Sequence, residues 1–121
     1  MSVRCAVHVT ANFERNLIAI ERFLSEQEGA FAGLLSRLFD KIIPQLEEYP
    51  ELGPDLLARR ATSMESRAQQ AALLRRLPAG VRLREHVSSD YLILYGVAGE
   101  RVYLLAIKHH KQLSYDLRRH W

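Results

Sequence analysis

VRLREHVSSDYLILYGVAGERVYLLAI, residues 81–107, decides the fold. In VRLREHV, apolar and charged side chains alternate, as on a half-buried strand. YLILYGV (91–97) is apolar on both faces, as a central strand is. RVYLLAI (101–107) is a second apolar strand. SSD (88–90) and AGE (98–100) supply the turns between them. The stretch therefore predicts a three-stranded antiparallel meander. Arg82, Arg84 and His86 are two apart, so on a strand they project from one face, away from Leu83 and the core. The same alternation suits the wet face of an edge strand.

Upstream, VRCAVHV (3–9) reads as a short strand. Thr10 and Asn12 both suit the cap of a helix that follows. Phe13, Leu17, Ile20 and Leu24 form one apolar helical face, and Gly29 breaks the helix. A second helix starts near Phe31, with Leu34, Leu35, Leu38, Ile42 and Leu46 as its stripe. Pro44 is expected to kink or end it. YPELGP (49–54) marks a connection, and residues 55–77 have the composition of a third, more exposed helix, ended by PAG (78–80). Residues 112–119 form a last short helix or a fraying end. The predicted class is α+β: an N-terminal strand and helix hairpin packed on a small antiparallel sheet, with the first strand at its edge. One domain is expected over 1–121, with a long helical connection at about 53–80.

At 121 residues with 48% hydrophobic content, the chain is long enough for a real core. The single cysteine, Cys5, rules out an intrachain disulfide or a cysteine metal cluster. No apolar run reaches the length of a membrane span, and no secretory leader is visible, so a reducing, cytoplasmic home is expected. Charge divides unevenly. Residues 1–57 carry five basic and nine acidic side chains, whereas residues 58–121 carry twelve and five. A basic half favours an anionic partner such as nucleic acid or an acidic protein segment.

The tail IKHHKQLSYDLRRHW (107–121) holds three of the five histidines and the only tryptophan. RNA cleavage without a metal needs a base for the 2′-hydroxyl, an acid for the leaving oxygen, and cations for the phosphorane. His, Lys, Arg and Tyr side chains supply all of these, and Tyr or Trp stacks on unpaired bases for roughly 1–3 kcal/mol per base. Tyr91, Tyr95 and Tyr103 equally suit core packing. His109 and His110 are adjacent, so on a strand they point to opposite faces and one of them faces any given site. No HExxH, paired-cysteine, P-loop, GxGxxG or GxSxG pattern is present, so no metal and no cofactor are expected.

The order strand, helix, helix, then LREHVSSDYLILYGVAGERVYLLAIKHHKQL resembles the RelE/ParE superfamily of toxins from bacterial type II toxin–antitoxin systems. The basic strand LREH, the aromatic strand YLILYGV, the turn AGE and the strand RVYLLAI running into KHHKQLSYDL carry the resemblance. It implies a toxin neutralised by a cognate antitoxin. RelE-like members cleave messenger RNA in the ribosome, and ParE-like members poison DNA gyrase without nuclease activity. The positions matching the RelE-type pattern are Arg84, Tyr91 and Tyr95, and His109 or His110 with Lys111. The implied roles are phosphate stabilisation for Arg84 and Lys111, acid/base work for one histidine, and stacking or proton transfer for a tyrosine. Arg59, Arg60, Arg75, Arg76, Arg82 and Lys108 are the expected nucleic-acid contacts. Two features depart from the RelE pattern: the basic cluster before the second strand is spread over the long connection, and the long helix pair looks more ParE-like. Expected partners are thus an antitoxin and either the ribosome with mRNA or DNA gyrase, with no membrane. Metal-independent mRNA cleavage is the leaning, and gyrase inhibition the alternative.

Overall fold

β1 (Ala6–Val9) leads into α1 (Ala11–Phe23), α2 (Ala30–Arg37), a π-helical turn (Leu38–Ile42) and α3 (Ile43–Glu48). β2 (Arg82–Ser88), β3 (Tyr91–Ala98) and β4 (Arg101–His109) follow. The computed structural model describes residues 4–53, 72, 75–77, 80–112 and 115–117. The predicted helix over 55–77 falls largely outside these residues; Ala72, Arg75 and Arg76 are helical. Among the described residues no helix is long and apolar enough to cross a membrane.

The strands form one sheet in the order β1-β4-β3-β2. β2, β3 and β4 make the predicted antiparallel meander, with Arg84 opposite Tyr95 and Tyr91 opposite His109. β1 does join the edge, but it runs parallel to β4, from Ala6 opposite Arg101 to Val9 opposite Leu104. The sheet is therefore mixed and not purely antiparallel. Both hairpins turn on two residues, Ser89-Asp90 and Gly99-Glu100, with positive φ at the first (54° and 59°). That conformation is free for glycine and strained for serine.

Thr10 alone caps α1. Its backbone is extended and its hydroxyl accepts the Phe13 N–H at 3.3 Å. Asn12, a capping candidate by sequence, is instead buried within the helix. α1 stops at Phe23, short of Gly29. Ser25 and Gln27 close tight turns onto the carbonyls of Arg22 and Leu24. Leu24 stays buried, so the apolar stripe outlasts the helix. Gly29, in the left-handed region at φ 78°, then starts α2. Pro44 does not end the second helix. The Ile43 N–H reaches back five residues to the Leu38 carbonyl. This wider turn comes immediately before the residue that has no N–H to give, and the helix continues to Glu48.

The helices cover one face of the sheet. Phe13, Ile20, Leu34, Leu38, Ile42 and Leu46 meet Tyr91, Ile93, Tyr95, Val102, Leu104 and Ile107 there. The second face carries a smaller cluster of Leu83, Leu94, Leu105 and Ala106, with Leu77, Tyr103, Tyr115 and Leu117 packed against it. Residues 115–117 are irregular where a final helix was one expectation. A β-bulge builds this second cluster. Leu94 faces Ala106 and the next residue, Tyr95, faces Leu104, so Leu105 has no partner.

Past Val9, β4 has lost its neighbouring strand, and α1 takes over. The Thr10 hydroxyl donates to the Leu104 carbonyl at 2.6 Å and Asn12 Nδ2 to the Leu105 carbonyl at 2.9 Å. The Ile107 N–H donates to Asn16 Oδ1 at 3.0 Å. Asn12 and Asn16 are one helical turn apart, so both meet the strand edge. Buried backbone groups that a strand would have satisfied are thereby satisfied by side chains. The same helix holds the tail. Arg15 pairs with the Asp116 carboxylate at 2.6 Å, and Asn12 Nδ2 donates to the Asp116 carbonyl at 2.8 Å.

Candidate functional site

β3 carries two tyrosines on its helix-facing side, and each organises one end of the sheet. At the Tyr95 end the connection 49–53 folds down onto β2. The Tyr95 hydroxyl donates to the Pro50 carbonyl and accepts the Gly53 N–H, both at 2.9 Å. Arg84, opposite Tyr95 on β2, donates to the Gly53 carbonyl at 2.6 Å and to the Glu51 carbonyl at 3.3 Å. Gly53 is required here. A Cβ at this position would lie 2.2 Å from the Glu85 backbone oxygen. Arg84 and Tyr95 together latch the loop to the sheet. Burial pushes the Tyr95 hydroxyl pKa upward, partly offset by the Gly53 hydrogen bond and the Arg84 charge.

At the Tyr91 end the strands run out into turns. The Tyr91 and His109 rings meet edge to face at 5.4 Å, and the His109 and His110 rings lie 4.4 Å apart. β4 ends at His109, and His110 begins a turn, so the two side chains do not alternate across the sheet. The expectation that only one histidine faces a site is corrected on this point: the two rings share one cluster. His109 Nδ1 accepts the Lys111 N–H at 3.2 Å. A backbone N–H can only donate, so neutral His109 carries its proton on Nε2. His110 Nδ1 lies 3.1 Å from the Asp90 carbonyl, which can only accept, so neutral His110 is protonated on Nδ1. Adjacent histidines are thus held in opposite tautomers. The Asp90 carboxylate lies 3.8 Å from His110 Nδ1.

Charge and burial set the titration of this cluster. Desolvation lowers the His109 pKa, and the charges of His110 and Lys111 lower it further against an opposing pull from Asp90. Burial raises the pKa of Tyr91, as does Asp90, while the charge of Arg37 on α2 acts in the opposite direction. His86, on the same face of β2 between the two ends, has its pKa lowered by burial. Nothing hydrogen-bonds the Tyr91 hydroxyl or pairs with the Arg37 guanidinium among the described residues.

The predicted site residues are therefore divided. Tyr91, His109, His110 and Lys111 come together. Arg84 stands at the other end of β3, about 13 Å away along the strand at roughly 3.3 Å per residue. Arg82 is exposed beside it, on the helix-bearing side of the sheet and not on a separate wet face. Lys108 points to the second face. It is 9% exposed, and its Nζ donates to the Gln112 carbonyl at 2.8 Å and lies over the Tyr115 ring. Leu83 is buried in that same second-face cluster, not in the core under the helices. Arg75 and Arg76 are exposed, and Arg59 and Arg60 lie outside the described residues.

Sequence reasoning missed Arg37, one charge among several on a helix, whose charge acts on Tyr91 from α2. It also missed Gly53, Asn12 and Asn16 as structural partners. Among the described residues no group of three or more His, Cys, Asp or Glu side chains is placed to hold a metal ion. The Tyr91 end supplies proton donors and acceptors and positive charge, and the Arg84 end supplies a latched loop.

Residues 7–114 match a family model described as the ParE toxin of the type II toxin–antitoxin system parDE. No curated protein matches the sequence.

Proposed function

Because the chain belongs to the ParE toxin family of type II toxin–antitoxin systems, we propose that it acts by binding DNA gyrase and not by cutting RNA. It is the toxin half of such a system, and a cognate antitoxin is its partner. The internal commitment of Arg84 is the observation that carries the gyrase reading. A ribonuclease must bring a base, an acid and a cation to one phosphate. Arg84 instead donates to two loop carbonyls. The histidines lie at the far end of β3, and Lys108 lies on the opposite face of the sheet. A toxin that acts by occupying its target needs surface complementarity and no such convergence.

Purified toxin added to gyrase and relaxed plasmid is expected to block supercoiling, while a cell-free translation reaction runs on undisturbed. Intact gyrase activity with messenger RNA cut on the ribosome would overturn the reading. Ribosome-dependent cleavage is the second reading, and the shared Tyr91–His109–His110 cluster favours it. Under that reading a joint His109→Gln, His110→Gln variant loses its toxicity with the fold intact. Under the gyrase reading it still inhibits supercoiling.

A further inference from the structure

We infer that the outer face of the helical layer, anchored by Phe23 and Phe39, docks on a basic surface of gyrase. The inference rests on the gyrase reading and adds the face of the toxin that makes the contact.

Folding leaves two kinds of side chain unused on this face. Phe23 is 73% exposed and Phe39 54%, although each stands beside a residue that the core buries, Leu24 and Leu38. On α1, Glu14, Ile18 and Glu21 recur at i, i+4 and i+7 in an exposed stripe turned away from Phe13 and Ile20. On α2 and the turn after it, Gly33, Ser36 and Asp40 repeat that spacing, and all three are exposed. The Ser36 hydroxyl donates to the Asp40 carboxylate at 3.3 Å. A Cβ on Gly33 would meet nothing within 4 Å. The π-helical turn keeps Leu38 and Ile42 in the core and turns Phe39, Asp40 and Lys41 out together. Such turns are common where a helix carries function.

Exposed aromatic side chains rimmed by charge have the composition of a docking surface, with the rings as anchors. The charge names the partner. Residues 11–51 hold eight acidic and four basic side chains, in a chain whose net charge is +3. Arg15, one of the four, is paired with Asp116. None of the eight carboxylates enters an ion pair among the described residues. The face is acidic on a basic protein, and it fits a basic partner. An enzyme that handles DNA presents basic surface to a polyanion, so the target itself supplies the complement.

The test measures the toxin concentration that halves plasmid supercoiling, using the full chain with surface substitutions. Phe23→Ala combined with Phe39→Ala should raise that concentration at least about tenfold, as loss of two aromatic anchors implies. Glu14→Gln with Glu21→Gln should raise it about threefold, and Glu14→Lys with Glu21→Lys further still. Gly33→Lys puts bulk and the wrong charge into open space on the same face and replaces a weak helix former. It should weaken inhibition with the thermal midpoint unchanged or raised, and it serves if the aromatic variant does not fold. Val87→Ala removes an exposed apolar side chain from the other face of the sheet and should inhibit like wild type. Full inhibition by both the aromatic variant and Gly33→Lys would overturn the assignment and leave the gyrase reading standing. Supercoiling untouched by the unaltered chain would end both. Two further results would give the face to another occupant and overturn the assignment. One is loss of antitoxin binding in variants that still inhibit gyrase. The other is self-association of the toxin that the same substitutions abolish while inhibition persists.

Discussion

Tyr95 is fully buried, and its hydroxyl makes two hydrogen bonds to the loop 50–53. Tyr91, four residues earlier on the same face of the same strand, is 8% exposed, and its hydroxyl makes none among the described residues. Burial alone does not separate the two. What separates them is whether folding consumes the polar tip. At the Tyr95 end, the hydroxyl and Arg84 Nη1 are both taken up by loop backbone groups, so that end is structural. At the Tyr91 end, the ring packs against His109 while its hydroxyl has no hydrogen-bond partner among the described residues.

The largest expected effect tests the structural end. Gly53→Ala puts a Cβ against the Glu85 backbone oxygen, which cannot move aside without disturbing β2. A loss of about 3 kcal/mol in urea unfolding is expected, the upper range for overpacking. Wild-type stability in this variant would mean that the loop is not latched as described. Next comes the tyrosine pair itself. Tyr95→Phe leaves the Gly53 N–H unpaired and should cost about 2 kcal/mol, whereas Tyr91→Phe should stay within about 0.5 kcal/mol of wild type. Equal losses in the two variants would erase the distinction between the ends.

A milder perturbation is acid. His86 and His109 both have folded-state pKa values below the ordinary 6.5. The unfolded chain therefore binds more protons than the folded one as pH drops through 6.5, so stability falls there and levels off below the folded values. Urea midpoints measured from about pH 8 to about pH 5 should decline. A midpoint that climbs on acidification would contradict the burial of His86. The smallest effect lies at the hairpin beside Tyr91. Ser89 has a positive φ of 54°, so Ser89→Gly should raise stability by about 0.5–1 kcal/mol, read as a higher thermal midpoint. A drop would show that the serine side chain makes an interaction that outweighs the strain.

Much of the sheet was legible in the sequence because alternation and turn residues are local signals. Residues 82–107 show the strand period directly; alternation groups Arg82, Arg84 and His86 on one face, but that face is the helix-bearing one and not the outer one expected. The direction of β1 was not legible. Parallel and antiparallel edge strands share one composition, and the choice depends on where the helical layer carries the chain. The end of α1 was misread because Leu24 belongs to the core without belonging to the helix. Pro44 suggested a stop, yet the wider turn from Leu38 to Ile42 has no distinctive residue of its own.

The candidate site was legible in part. Tyr91, His109, His110 and Lys111 stand near one another in a hairpin sequence, so their meeting follows from the meander. Arg37 comes from a different element, and its charge acts on Tyr91 only because the helices fold over the sheet. Arg84 looked available because strand alternation gives the face of a side chain but not its partner. The loop carbonyls that it holds belong to residues more than thirty positions away.

The seam between α1 and β4 sets the order in which a ribosome can deliver this protein. Thr10, Asn12 and Asn16 bond to partners more than ninety positions later in the chain, and β1 has no sheet to join until β4 is made. The first helix must therefore wait, its asparagines still wet, until β4 has been made. Such long-range closure is slow compared with local helix formation. The surface that β1, α1 and β4 build together therefore does not exist on a shorter nascent chain.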